Sequence, residues 1–207
     1  VNIHAVIKKL CEKRPVFHSE ADFQFALAWE IKSLYQLAEV RLEYPYMVPD
    51  KSIQYIDIFV QLEGHAYPIE LKYKTKKLEE PFCWKNEKFN LKNHGAQNFN
   101  RYDFIKDIRR IEAFAEQPGN FRFGYAVWLT NDPSYWDRPK DENVGYASFS
   151  VHDGAVKTGT MKWGKGTGKG RKKELTLKNK YTIEWKKYHD LGVPNGLLKY
   201  AVVKVSI

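Results

Sequence analysis

Apolar residues recur along the chain with two periods, and the changes from one to the other mark out its elements. Between His18 and Val40, Phe23, Ala26, Leu27, Ile31 and Leu34 fall at helical spacing. Ser19 stands where an N-cap belongs, with Asp22 in the first turn. Upstream, "VNIHAVIKKLCEKR" alternates apolar and basic residues and predicts a short amphipathic helix rather than a signal peptide. "VRLEYPYMV", residues 40–48, predicts a strand, and "YIDIFVQLEGHAYPIELKYK", residues 55–74, a hairpin turning at Glu63-Gly64. Residues 79–95 read as an irregular connection. A second helix is expected over residues 96–117, with Phe104, Ile105, Ile108, Ile111 and Ala115 inward and Pro118-Gly119 as its stop. "FRFGYAVWLTND" is apolar through its middle, which predicts a central strand covered on both faces. Two more hairpins are expected, over residues 146–163 about Asp153-Gly154 and over residues 174–188. A final strand, "LLKYAVVKVSI", closes the chain. This order predicts a single α/β domain with one mixed sheet flanked by helices and a β-rich C-terminal part.

The 55–74 hairpin sets charges among its apolar positions. A turn at Glu63-Gly64 places Leu62 opposite His65 and Asp57 opposite Glu70. Glu70 and Lys72 are two apart and share a face. Directly opposed carboxylates repel unless something neutralises them, and a hard divalent cation does so. Ile56, Ile58, Ile69, Leu71 and Tyr73 remain for core packing. The alternative for Asp57, Glu70 and Lys72 is a salt-bridge cluster on a half-exposed hairpin.

Charge changes the picture next. The chain carries a formal net charge of +9, and residues 162–187 hold ten Lys or Arg against two Glu, which is eight of those nine charges. A localised basic segment is what a phosphate backbone attracts. Lys165, Lys169, Arg171, Lys172 and Lys173 are its candidate contacts, with Trp163 and Trp185 flanking the segment and placed to stack on bases. No apolar run is long enough to span a membrane. Cys11 and Cys83 match no metal spacing, which points to a reducing, cytoplasmic setting.

Asp57, a dozen residues, then Glu70-Leu71-Lys72, preceded by a helix carrying Glu20, resembles the PD-(D/E)XK, or restriction endonuclease-like, nuclease superfamily. The resemblance covers roughly residues 18–131, with residues 132–207 as a β-rich extension bearing the basic loop 162–187. It implies a restriction endonuclease-like core and a Mg²⁺- or Mn²⁺-dependent deoxyribonuclease, an endonuclease acting on DNA. By position, Asp57 and Glu70 would hold the metal with the Leu71 carbonyl, and Lys72 would orient or activate the attacking water. Glu20 would add a helix carboxylate, with Glu30 as competitor. Gln97 and Arg101, at i and i+4, would touch the substrate phosphate. Duplex cutters with one site per chain often dimerise, so a homodimer is open. Ile56 replaces the family's Pro. Two alternatives remain: a non-catalytic DNA-binding module of the same fold, and a protein-interaction domain with a basic surface.

"WGKGTGKG" fails as a phosphate-binding P-loop, because Trp163 stands at the first glycine position and Gly170 where Ser or Thr belongs. The six histidines show no zinc spacing.

Overall fold

The computed structural model describes residues 1–207 apart from 49, 50, 118, 142, 166, 167, 169–172 and 207. Helices α1 (Ile3–Lys13) and α2 (Glu20–Leu34) lead into strands β1 (Glu39–Met47), β2 (Ile53–Leu62) and β3 (His65–Lys74). A small ribbon, β4 (Phe82–Trp84) and β5 (Glu87–Phe89), precedes helix α3 (Gln97–Ala115) and strand β6 (Gly124–Thr130). β7 (Val156–Met161), β8 (Leu175–Thr182), β9 (Trp185–Asp190) and β10 (Leu197–Val205) complete the chain.

Six strands form one open mixed sheet in the order β1-β2-β3-β6-β10-β9. β3 and β6 are parallel, joined by the α3 crossover, and every other neighbouring pair is antiparallel. Alternation along the strands makes two large cores, with a smaller cluster of Tyr46, Val48, Ile56 and Phe59 beside them. Val127 and Leu129 of β6 face α1 and α2 with Ile58, Ile69, Leu71 and Tyr73. Ala126 and Trp128 face α3 and the β7–β8 ribbon. β6 is buried along its whole length, as its apolar run predicts. Gly124 lets α3 come close, since a Cβ there would lie 2.4 Å from the Ile111 side chain and 2.8 Å from the Pro68 carbonyl.

Local signals act as expected at the elements that frame the site. The Ser19 side chain caps α2 by accepting from the Asp22 amide at 3.1 Å. Glu63 and Gly64 both adopt positive φ, +52° and +75°, the geometry of a two-residue turn whose twist suits a hairpin. The β2–β3 register runs from Leu62↔His65 to Ile58↔Ile69.

The C-terminal part differs from expectation. Residues 146–163 do not form a hairpin: Ala147–Phe149 is a single 3₁₀ turn, and β7 pairs with β8 instead. Residues 174–188 are not a hairpin either, because β8 joins the ribbon while β9 pairs with β10 in the main sheet. The chain changes sheets between Thr182 and Trp185. The Ile183 amide bonds the Ala155 carbonyl at 2.8 Å, and the Trp185 amide bonds Asp153 at 2.8 Å. Within the β-rich part, β9 and β10 widen the central sheet. Residues 79–95 contain the β4–β5 ribbon rather than irregular chain alone. The basic segment is a loop only in part, for β8 lies inside it. Among the described residues no helix is long and apolar enough to cross a membrane.

Candidate active site

The sheet forks beside Ile58 and Ile69. Beyond that pair β2 stays with β1 as far as Met47↔Ile53, while β3 stays with β6 as far as Lys74↔Thr130. The separating strands leave amides on the edge of β3 without a ladder partner, and buried amides require one. Side-chain carboxylates supply it. Asp57 Oδ2 accepts from the Leu71 amide at 2.6 Å, and Glu20 Oε2 accepts from the Tyr73 amide at 2.8 Å. From α2, Gln24 Nε2 donates to the Asp57 carbonyl and to Glu43 Oε1, both at 2.7 Å. Glu43 lies on β1 between the pairs Leu42↔Ile58 and Tyr44↔Ile56, which sets it across from Asp57, and its φ is +49°.

Glu70 and Lys72 point from β3 toward α3 on the same side as their β6 partners Ala126 and Trp128. Glu70 is 1% exposed, and Lys72 and Asp107 are buried with it. Lys72 Nζ lies 2.9 Å from Asp107 Oδ2. Arg110, one turn along α3, lies 3.1 Å from Glu70 Oε1 and 3.6 Å from Asp107 Oδ1. These contacts are ionic rather than well-aligned hydrogen bonds, because Glu70 Oε1 and Asp107 Oδ2 are buried with no donor in line among the described residues.

Three carboxylates thus meet two cations, and the acids hold their protons accordingly. Burial, with Asp107 adding to it, lifts the Asp57 carboxyl to about 6 despite the Leu71 amide and Arg110. Burial and the negative charges of Asp107 and Asp57 lift Glu70 well above the usual carboxylate range. Burial also raises Asp107 against the pull of Lys72 and Arg110. Burial would lower the Lys72 ammonium, but Asp107 outweighs it and the net shift is upward.

Comparison of the chain with known families, curated proteins and solved structures found no match.

The donors that could hold a hard cation are the Asp57 and Glu70 carboxylates and the Leu71 carbonyl, which leaves β3 by the same edge as the amide that meets Asp57. Two carboxylates and a carbonyl, with water completing the shell, suit Mg²⁺ or Mn²⁺. The orphaned oxygen of Glu70 and the raised acids mark a site short of positive charge. Among the described residues no three Asp, Glu, His or Cys side chains enclose a metal, because Asp107 is turned to Lys72 and Glu20 to β3.

Several expected site residues stand elsewhere. Glu20 opens α2 as expected, but it is held by the Tyr73 amide and by Lys74 at 2.9 Å, two positions along β3 from the Leu71 amide. Its competitor Glu30 is buried against Lys13 at 2.6 Å and takes no part. Arg101 is not on a solvated face. It is 3% exposed, lies over the rings of Tyr135 and Tyr146, and donates to the Asn98 side chain and the Ser134 carbonyl. Gln97 is half-buried, 3.5 Å from Asp132. Trp185 is buried in the α3-side core and Trp163 packs on Phe149 and Tyr102, so neither ring is free for a base. Lys165 and Lys173 are exposed, while Lys169, Arg171 and Lys172 lie outside the described residues.

Asp107, Arg110, Gln24 and Glu43 are what sequence reasoning missed. Asp107 left a trace, because it interrupts the apolar stripe of Phe104, Ile108 and Ile111 on α3, and a charge there needs a partner. Nothing local flags Gln24 or Glu43.

Proposed function

We propose that the chain is a metal-dependent nuclease with a restriction endonuclease-like core, cutting DNA phosphodiester bonds at the fork between β2 and β3. One observation carries this reading: the buried carboxylate of Glu70 and the half-buried one of Asp57 converge where the strands part, with Lys72 on the face of Glu70. The element order α2-β1-β2-β3-α3-β6 is also that of the superfamily core which the Asp57…Glu70-Leu71-Lys72 pattern resembles.

Asp57, Glu70 and the Leu71 carbonyl would hold the cation. Bound there, Mg²⁺ or Mn²⁺ would supply Lewis-acid stabilisation of phosphate charge and a more acidic water. The chain's own residues do the remainder. Gln24 fixes the backbone of Asp57, and the Leu71 amide fixes one of its carboxylate oxygens, so the other faces Glu70. Lys72 holds a positive charge at the position where an attacking water and a pentavalent phosphate would share negative charge, and Asp107 keeps it protonated and oriented. The exposed cations of residues 162–187 draw the polyanion to the molecule.

A second reading, a DNA-binding module of this fold without catalysis, is favoured by one feature: Lys72 and Glu70 already have the internal partners Asp107 and Arg110. Nicking of supercoiled plasmid separates the two. Mg²⁺- or Mn²⁺-dependent nicking that EDTA stops and Glu70→Gln abolishes supports the nuclease. Metal-independent retention on DNA with no nicking supports the module.

A further inference from the structure

Arg110 is the least expected member of the site. Its guanidinium reaches Glu70 at 3.1 Å and Asp107 at 3.6 Å, donates to the Tyr55 carbonyl and lies against the Tyr46 hydroxyl. It therefore bridges the carboxylates of β3 and α3 to the opened end of β2, across the mouth of the fork. Yet the fit is incomplete. Among the described residues its buried Nε has no hydrogen-bond partner, and the Glu70 oxygen facing it has no donor in line. An arginine that served only to fasten two elements would normally form a forked, two-bond pair with a carboxylate. Here the guanidinium supplies charge to the acidic pair without that geometry.

On its other side Arg110 lines a groove of about 440 Å³ between α3 and β8. Lys106, Arg109 and Lys178 line the same groove, with Gln54 and Glu116. The Arg110 side chain is half-buried and lines this groove, so it can leave the carboxylates without crossing the core.

We propose that Arg110 is a built-in competitor of the divalent cation: it neutralises Glu70 in the metal-free protein and must swing toward the α3–β8 groove when a metal takes Asp57 and Glu70. This rests on the metal-site reading under Proposed function. A metal held through the Glu70 oxygen that faces Arg110 would set two cations against each other in a buried site, so metal binding there works against the Arg110–Glu70 contact. The turned-out guanidinium joins Lys106 and Arg109, where a phosphate oxygen would receive the bidentate pairing that Glu70 does not give it.

The test is a Mn²⁺ titration followed by the electron paramagnetic resonance of the free ion. Arg110→Ala should bind Mn²⁺ about tenfold more tightly than wild type, the equivalent of one lost competing contact. Lys8→Ala, which removes an exposed charge from α1 outside this groove, should bind as wild type does. Guanidinium chloride well below denaturing concentration should return Arg110→Ala toward wild-type affinity, and sodium chloride of equal ionic strength should not. Should Arg110→Ala fail to fold, Tyr46→Phe removes only the hydroxyl behind the guanidinium and should shift affinity the same way by less. Equal affinity in wild type and both Arg110→Ala and Tyr46→Phe overturns the competitor and leaves the metal site standing. Mn²⁺ bound by none of them, or bound equally by Glu70→Gln, removes the metal site and the competitor with it.

Discussion

The Asp57 carboxylate replaces a strand: its Oδ2 takes the Leu71 amide at 2.6 Å at the point where β2 leaves β3. One side chain thus ends the ladder and faces Glu70. The two tasks separate by substitution. Asp57→Asn keeps an acceptor for the amide and removes a charge beside Glu70, so the metal-free protein should melt at or above the wild-type temperature while nicking is lost. Asp57→Ala leaves the amide unpaired and should be less stable than Asp57→Asn by about 1–3 kcal/mol. Thermal melts beside a plasmid assay check this, and an Asp57→Asn protein that nicks at the wild-type rate would show the site is misassigned.

The same carboxyl makes stability depend on pH. Folded Asp57 keeps its proton to about 6, against 3.8 when free, so between those values the folded state binds the extra proton. Its contribution therefore falls as pH rises through that window, by on the order of 3 kcal/mol in all. Urea unfolding of wild type and Asp57→Asn across this range should show the variant gaining on wild type as pH rises, and parallel curves would place the shifted titration elsewhere.

Lys72 should act on chemistry more than on affinity. Lys72→Ala should slow single-turnover cleavage by about 10²–10³, the effect of one preorganised charge, with DNA affinity in Ca²⁺ nearly unchanged. It also leaves buried Asp107 with Arg110 alone at 3.6 Å, so stability should drop by about 3 kcal/mol. Adding Asp107→Asn should restore most of that stability and none of the rate. Denaturant midpoints and single-turnover rates on the three proteins check both halves, and lost affinity with an intact rate would make Lys72 a binding residue.

The basic segment should govern affinity alone. Neutralising Lys169, Arg171, Lys172 and Lys173 should flatten the plot of log K against log salt by about 3–4 units, roughly 0.9 per phosphate contact. The metal dependence of cleavage should stay as it is. A slope that does not move would mean that these residues face away from the nucleic acid.

Lys157 offers a test remote from the site. Its buried ammonium donates to the Ser148 carbonyl at 3.0 Å, and among the described residues no carboxylate pairs with it. Burial lowers it to about 8 from 10.5. Between those values the unfolded chain binds a proton that the folded one lacks, so stability should rise with pH there, by on the order of 3 kcal/mol. Lys157→Met should be more stable than wild type at pH 7 and lose this rise, which melts from neutral to alkaline pH would reveal.

Local physics made much of this protein legible in its sequence. Period determined α2, α3 and the buried strand β6, with the Ser19 cap opening α2, because a helix or strand must turn its apolar residues to one side. The Glu63-Gly64 turn determined the β2–β3 register and so brought Asp57 to Glu70, since a two-residue turn leaves one pairing. The tertiary structure decided what lies far apart in the chain. It sent β8 and β9 to different sheets, β8 to β7 in the ribbon and β9 to β10 in the central sheet. It buried Arg101 between two tyrosines that loops bring to it from beyond residue 130. It gave Lys72 and Glu70 the counter-charges Asp107 and Arg110, roughly forty residues on, because α3 must cross the sheet to return the chain to β6. Strand alternation can say which charges share a face, but only the packing of a helix over that face decides which charge each one meets.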